Sequence, residues 1–317
     1  MAKGGLTAVG LVAALALSAC SGGNPLSATT AAGTGGTSGS AGSVIVGSAD
    51  FTESQVLGEI YAGALQAAGV TVTTKPNIGS REVYVKALDD GSIDVVPDYS
   101  GNLLGFVDKK ASATDKDGVL KALPAALSTY SSTLTNKTPL GILDAAQAED
   151  KDAMVVTKVT AQKYNLKSIE DLAKVCKDLT LAAPPEFATR DYGLPGLKGK
   201  YGCEPKKFLP VTGEALTIKA LIGDDAQVAD VFTTSPAIPD NSLVVLSDPK
   251  NNWLPQQVLP LYNTKKLSDV AKQALNNVSK QLTTDDLITM NREVQGPQKR
   301  DPKDAAQEWL KAKGITK

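Results

Sequence analysis

Histidine is absent from the 317 residues. That gap removes Ser–His–Asp and Cys–His catalysis and every histidine metal site. Proton transfer is left to carboxylates and lysines, and Asp98, Glu186 and Asp191 are the carboxylates on which a surface enzyme would depend. The other reading is a binding module that needs no covalent chemistry. Its candidate site begins at Val44–Gly69, where Val44-Ile45-Val46 reads as a strand and Thr52 onward as a helix. A strand feeding a helix N-terminus leaves free N–H groups facing a crevice, which suits anionic or polar ligand groups. An ordinary βα unit accounts for the same residues.

The elements that would position such a site follow from periodicity. Thr52 with Gln55 three residues on is a capping box, and Phe51 with Val56 a hydrophobic staple. Val56, Leu57, Ile60, Tyr61, Ala64, Leu65 and Ala68 recur at helical spacing. A strand over 70–75, a helix from Ser80 to Leu88 and a strand over 93–96 complete a β-α-β-α-β pattern, which predicts a parallel sheet between helices. Ligands bind such sheets at the carboxyl ends of their strands. The loops after Val46 and Val96 lie at those ends, which joins Ala49–Gln55 and Asp98–Asn102 in one site. Residues 153–232 read as a second α/β unit of similar size, and helices over 268–282 and 284–294 follow. Asp301 caps a last helix with Pro302 at its first position.

The N-terminus reads as export machinery. Lys3 precedes the apolar run Leu6–Leu17, too short to span a bilayer comfortably. Leu17-Ser18-Ala19-Cys20 resembles the bacterial lipobox, whose cysteine is lipidated; a plain secretory signal with a chance cysteine is the alternative. Residues 21–43 are almost all Ser, Gly, Thr and Ala, a flexible tether of roughly 26 Å r.m.s. reach. Cys176 and Cys203 remain. Export favours a disulfide between them, and two buried thiols are the alternative. The 33 Lys and Arg balance 34 Asp and Glu, so no basic field points to nucleic acid.

Several stretches together resemble the substrate-binding proteins of ABC importers for glycine betaine, choline, carnitine and related osmoprotectants (the ProX/OpuC type). They are Val46-Gly47-Ser48 with Phe51-Thr52-Glu53, Gly91-Ser92-Ile93-Asp94 with Pro97-Asp98-Tyr99-Ser100-Gly101, Ala183-Pro184-Pro185-Glu186-Phe187 with Gly193-Leu194-Pro195-Gly196-Leu197, and Phe232-Thr233-Thr234. The resemblance covers nearly all of residues 44–315, and its 183–197 segment is the most specific. It implies an α/β, two-lobed periplasmic-binding-protein clamp of type II. Residues 1–20 would be the signal, 21–43 the tether, 44–150 plus 238–317 one lobe and 151–237 the other. The chain would cross near Glu149–Asp152 and Thr234–Asp240.

The resemblance further implies an aromatic cage for a quaternary ammonium head and polar partners for a carboxylate tail. Tyr99 and Phe232 match cage positions, Arg190 the basic partner and Gln55 the polar residue of the first helix, with Ser48 and Phe51 from the same loop. Asp152 and Ile218 stand where relatives carry tyrosines, Asn102 replaces a frequent threonine, and Gln256 stands where an aromatic often follows the prolines. Asp152 can hold a cation by direct charge. Phe232 equally fits a core wall, and Arg190 beside Asp191 equally fits a surface ion pair. The implied protein is no enzyme and uses no cofactor or metal. It is a monomer, lipid-anchored through Cys20 on the extracytoplasmic face of the cell membrane, that hands a small quaternary ammonium ligand to a permease. A sensory lipoprotein of the same fold is the remaining alternative.

Overall fold

A computed structural model describes residues 42–317. The signal, Cys20 and nearly all of the tether lie outside the described residues. The strands are β1 (Ser43–Gly47), β2 (Thr71–Lys75), β3 (Val95–Tyr99), β4 (Leu140–Ile142), β5 (Asp152–Val156), β6 (Thr180–Ala183), β7 (Lys207–Pro210), β8 (Val228–Phe232), β9 (Val244–Val245) and β10 (Val258–Asn263). They form two five-stranded sheets of equivalent order, β2-β1-β3-β10-β4 and β7-β6-β8-β5-β9. In each, three parallel strands meet a fourth that runs antiparallel.

Burial on both faces explains the near-continuous apolar strands. In the first lobe α1 (Thr52–Ala67) and the helices Asp269–Gln281, Thr284–Gln295 and Pro302–Ala312 supply one core, through Leu57, Ile60, Leu275, Leu287 and Leu310. On the opposite face α2 (Arg81–Asp89), α3 (Ser100–Val107) and Lys116–Ser131 bury Leu88, Leu103, Leu104, Leu123 and Leu127. The second lobe repeats the plan. Helices Lys158–Tyr164 and Ile169–Val175 cover one face, and Glu214–Ile222 covers the other.

Cys176 and Cys203 are bonded, with Cα atoms 5.4 Å apart, so the thiol alternative falls. The two lobe crossings run side by side. Glu149 bridges Gln257, and the Asp150 N–H donates to the Gln256 carbonyl at 3.1 Å.

Two expectations change. β9 pairs with β5 of the second sheet, so the chain returns to the first sheet only after Val245, not at Thr234–Asp240. The cause is the 244–245 strand, whose sheet partner periodicity cannot name. At α1 the cap residue is Phe51, and it makes no side-chain cap bond. Thr52 is already helical, so the staple positions pass to Asp50 and Gln55, neither of them apolar. Ser54 closes this turn instead, its Oγ accepting from the Ala49 N–H at 2.9 Å. Ordinary caps occur elsewhere: Ser168 accepts from the Asp171 N–H, Asp301 from the Lys303 N–H, and Thr283 forms a reciprocal capping box with Asp286.

Candidate functional site

Between the lobes lies a cavity built from strand ends. The loop after β1 supplies Asp50 and Phe51, α2 supplies Arg81 and Tyr84, and the β3–α3 junction supplies Tyr99 and Asn102. The second lobe adds Asp152 from β5, Asp230 and Phe232 from β8, and Glu186, Phe187, Arg190 and Tyr192 from the segment after β6. The chain has only 5 Phe and 8 Tyr, yet three of each line this space. Tyr84, Tyr99 and Phe187 also belong to the lobes' buried cores, so part of this wall is core that reaches the cleft. The Phe51 ring lies 6.0 Å from Tyr99 and 5.6 Å from Phe232, stacked on the latter. Phe51 therefore faces the cleft and ties the two lobes' aromatic walls together.

Proline and glycine shape the segment that carries Glu186, Arg190 and Tyr192. The Arg190 N–H donates to the Glu186 carbonyl at 3.1 Å and the Gly193 N–H to the Arg190 carbonyl at 2.8 Å. A side chain at Gly193 would collide with the Phe187 carbonyl, and one at Gly196 with the Asp191 carbonyl and Asn252. Only glycine admits this close approach.

Both arginines of the cavity are engaged. Arg81 grips Asp98 in a fork, Nη2 to Oδ1 at 2.6 Å and Nε at 3.1 and 3.2 Å, with Asp98 fully buried. Burial works against the Arg81 charge, but Asp98 more than offsets it and holds the guanidinium ionised. Arg190 reaches across the cleft to Glu82 at 3.0 Å and donates to the Tyr192 hydroxyl at 2.8 Å. Asp191 pairs with Lys109 at 2.6 Å, so the adjacent Arg190 and Asp191 are not a mutual pair.

The acids face inward. Asp152 and Asp230 are both more than nine-tenths buried. Burial raises both carboxyls above the usual range, and the Asp152 charge raises Asp230 further. Asp150 is raised by burial and then by Glu53. Glu53 itself is the centre of a buried junction. It accepts from the Tyr99 hydroxyl at 2.6 Å, from Thr234 Oγ1 at 2.6 Å and from Asn291 Nδ2 at 2.5 Å. It thereby fixes the orientation of Tyr99.

Three departures from the resembled pattern form one chain. Gln256 Nε2 donates to Asn102 Oδ1 at 2.5 Å, the Asn102 N–H donates to Gln256 Oε1 at 2.9 Å, and Asn102 Nδ2 donates to Asp152 Oδ2 at 3.1 Å. Each of the three side chains satisfies a polar group of another, and Asp152 stands where the resemblance leads one to expect a tyrosine. Ile218 lies in the second lobe's core, away from the cavity.

Of the eight residues named from sequence, Tyr99, Phe232, Arg190, Asp152, Asn102 and Phe51 converge on the cavity. Ser48 and Gln55 do not line it. Ser48 Oγ accepts from the Asn77 N–H at 3.0 Å and donates to the Ala49 carbonyl, which buries it under the loop. Gln55 stands one position beyond Ser54, the residue that turns back to the loop, and so lies on another face of α1. Sequence reasoning missed Arg81, Tyr84, Tyr192, Asp230 and Glu53. Tyr192 and Glu53 were within reach, lying inside or between matched motifs. Asp230 looks like an ordinary interruption in a β run. Aromatic faces beside buried carboxylates suit an organic cation. Among the described residues no group of three or more Cys, Asp or Glu is placed to hold a metal ion.

A model of the substrate-binding domain of ABC-type glycine betaine transport systems matches residues 42–312. The glycine betaine-binding protein YehZ of Escherichia coli is 27% identical over 288 residues, covering 87% of this chain and 92% of its own. The carnitine transport binding protein OpuCC of Listeria monocytogenes is 26% identical over 274 residues, 84% of this chain and 86% of that one. A crystal structure described as a glycine betaine/carnitine/choline ABC transporter superposes with a TM-score of 0.67 at 25% identity, over 86% of this chain and 99% of the other. Its fold is that of the type II periplasmic-binding proteins, two mixed sheets flanked by helices. The chain therefore belongs to the family of substrate-binding domains of ABC-type glycine betaine transport systems.

Proposed function

We propose that this receptor captures a small quaternary ammonium osmoprotectant (glycine betaine, choline or a related compound) in the interlobe cavity and hands it to the permease of its importer. The observation that carries the reading is the ring group Phe51, Tyr99 and Phe232 lining one cavity with buried Asp152 and Asp230, Asp152 being the cross-strand neighbour of Phe232. Ring faces attract a methylated ammonium by about 0.5–2 kcal/mol each, and the carboxylates supply the opposite charge. Arg190 and Asn102 meet the polar end of the ligand, while Ser48 and Gln55 leave the set. The relatives named for glycine betaine and carnitine support the same class. Lipidation at Cys20 and the Ser/Gly/Thr/Ala tether hold the monomer at the extracytoplasmic membrane face, within reach of the permease. Residues 44–150 with the C-terminal segment move as one lobe against the other when ligand closes the cleft.

Thermal denaturation with glycine betaine, choline, carnitine and proline betaine tests the ligand class. A ligand at a hundredfold excess over its Kd adds about 2.7 kcal/mol of stability. Flat melting curves with all four compounds would overturn the quaternary ammonium reading. Tyr99→Ala should weaken the best of them by about 2- to 30-fold, the equivalent of one lost ring contact of about 0.5–2 kcal/mol. Unchanged affinity would remove Tyr99 from the site.

A further inference from the structure

Phe51 and Phe232 stack across the lobes, and two residues further along each segment the lobes meet again, Glu53 Oε2 accepting from Thr234 Oγ1 at 2.6 Å. The ring pair lines the cavity, whereas Glu53 and Thr234 do not. Tyr99 belongs to both layers. Its ring stands 6.0 Å from Phe51, and its hydroxyl donates to Glu53 Oε1 at 2.6 Å. Among the described residues that hydroxyl has no other partner. Burial, then the Glu53 charge, hold it protonated, so it remains the donor. Asn291 Nδ2 completes the junction by donating to Glu53 Oε2, and the Thr234 N–H donates to Asp150 Oδ1 at 3.2 Å. Glu53, Thr234 and Asn291 are all buried. Thr234 follows β8 of the second sheet, and the chain leaves that sheet only after Val245, so the Glu53–Thr234 bond joins one lobe to the other.

A ring attracts a cation only when its face is presented to it, and a binding side chain keeps its place through the groups that hold it from behind. For Tyr99 that hold is the bond to Glu53, and Glu53 is fixed in turn by Thr234 and Asn291. Each member of such a network is steadied by the next. We propose that Glu53 is a positioning residue for ligand recognition: locked by Thr234 of the other lobe, it aims the Tyr99 ring at the cationic head of the ligand, so that two residues outside the cavity set its affinity. The Tyr99 hydroxyl is then required for binding, although a phenylalanine face would attract the same cation. The effect on affinity rests on the quaternary ammonium reading, whereas the position of the ring in the empty protein does not.

Isotope-labelled tyrosine, read at the ring Cζ by NMR in the ligand-free full chain, tests the position of the ring. The Tyr99 signal is the one lost in Tyr99→Phe. Thr234→Val should shift it, although the Thr234 hydroxyl bonds Glu53 and Asn291 and not Tyr99. Thr234→Ser keeps the hydroxyl and should restore the parent signal. A signal unmoved by Thr234→Val overturns the brace, whether or not any ligand binds. Calorimetric titration with choline tests the affinity. Tyr99→Phe, Glu53→Gln and Thr234→Val should each raise Kd about threefold or more, and Thr234→Ser should stay within about twofold of the parent. In a Tyr99→Ala background, with no ring left to aim, Glu53→Gln should change Kd by less than about twofold. A larger loss there would mean that Glu53 acts on the cleft at large and overturns the positioning role, as does a parent-like Kd in both Glu53→Gln and Thr234→Val. A Tyr99 signal moved by Thr234→Val, in a protein that ignores every quaternary ammonium, would uphold the brace and overturn the ligand class instead.

Discussion

Glu214 stands at the start of Glu214–Ile222, where burial pushes its carboxyl up to about 7, the Ser235 hydroxyl pulls it down and the Glu53 charge pushes it up again. In the unfolded chain the same group titrates near 4.5. Between these values the folded protein holds a proton that the unfolded chain has released. Stability from this group is therefore full below about pH 4.5 and is lost as pH rises through 7, by about 3 kcal/mol in all. Glu214→Gln keeps the shape and an acceptor for Ser235 but cannot ionise. Urea denaturation should find the variant close to the parent at pH 5 and more stable by up to about 3 kcal/mol at pH 8. An equal difference at both pH values would mean that the buried carboxyl is not the cause. The residue scale is also where sequence was least legible. Tyr99, Phe232 and Phe51 were visible because an aromatic at a strand end or in a loop is conspicuous in a chain this poor in aromatics. The bonds that set Asn102 were not, because Asp152 is 50 and Gln256 154 residues away. No local pattern says that three residues so far apart form one hydrogen-bonded chain.

At the scale of elements the strands and most helices follow directly from apolar spacing, and the caps at Ser168 and Asp301 form as their types dictate. Thr52 fails as a cap because the tertiary environment outranks a local signature. Glu53 has to enter the buried junction with Tyr99, Thr234 and Asn291, and the helix begins one residue early to point it there. The 183–197 segment was legible for the opposite reason, since Gly193 and Gly196 are backbone requirements. Gly193→Ala should cost about 1–3 kcal/mol and weaken ligand binding, because the tightly packed segment carries Phe187, Arg190 and Tyr192 into the cavity. Denaturation and calorimetry on the same variant check both effects; parent-like values would mean that the segment yields freely. The Cys176–Cys203 bond joins the end of Ile169–Val175 to the approach to β7, over a separation of 27 residues. Loop-closure entropy assigns it about 3–4 kcal/mol. Cys176→Ser/Cys203→Ser should lower stability by that order in urea, and a loss below about 1 kcal/mol would count against the entropic account.

Across the whole molecule, two sheets of equivalent order are joined by a pair of antiparallel crossings, and the crossings deliver Asp150 and Asp152 to the cleft and set Gln256 against Asn102, which lines it. Crossing and cavity therefore share Asp150 and Asp152. Asp150, Asp152 and Asp230 are raised first by burial. Asp150 then feels Glu53, and Asp230 feels Asp152, while the Asn102 bond, Arg190 and Arg81 pull Asp152 the other way. An organic cation seated among them supplies the missing positive charge and favours the ionised carboxylates. Binding therefore releases protons, and affinity must rise with pH. Each proton released strengthens binding up to about tenfold per pH unit in the window between the empty and the occupied carboxyl's titration. Choline titrations at pH 5, 6.5 and 8 should show Kd falling at each step. At one pH, heats measured in buffers of different ionisation enthalpy should differ by the number of protons given up. Asp230→Asn removes one of the linked groups and should flatten the slope. A Kd constant across these pH values, with heats independent of buffer, would mean that the carboxylates are already ionised in the empty cleft and that ring faces alone attract the cation.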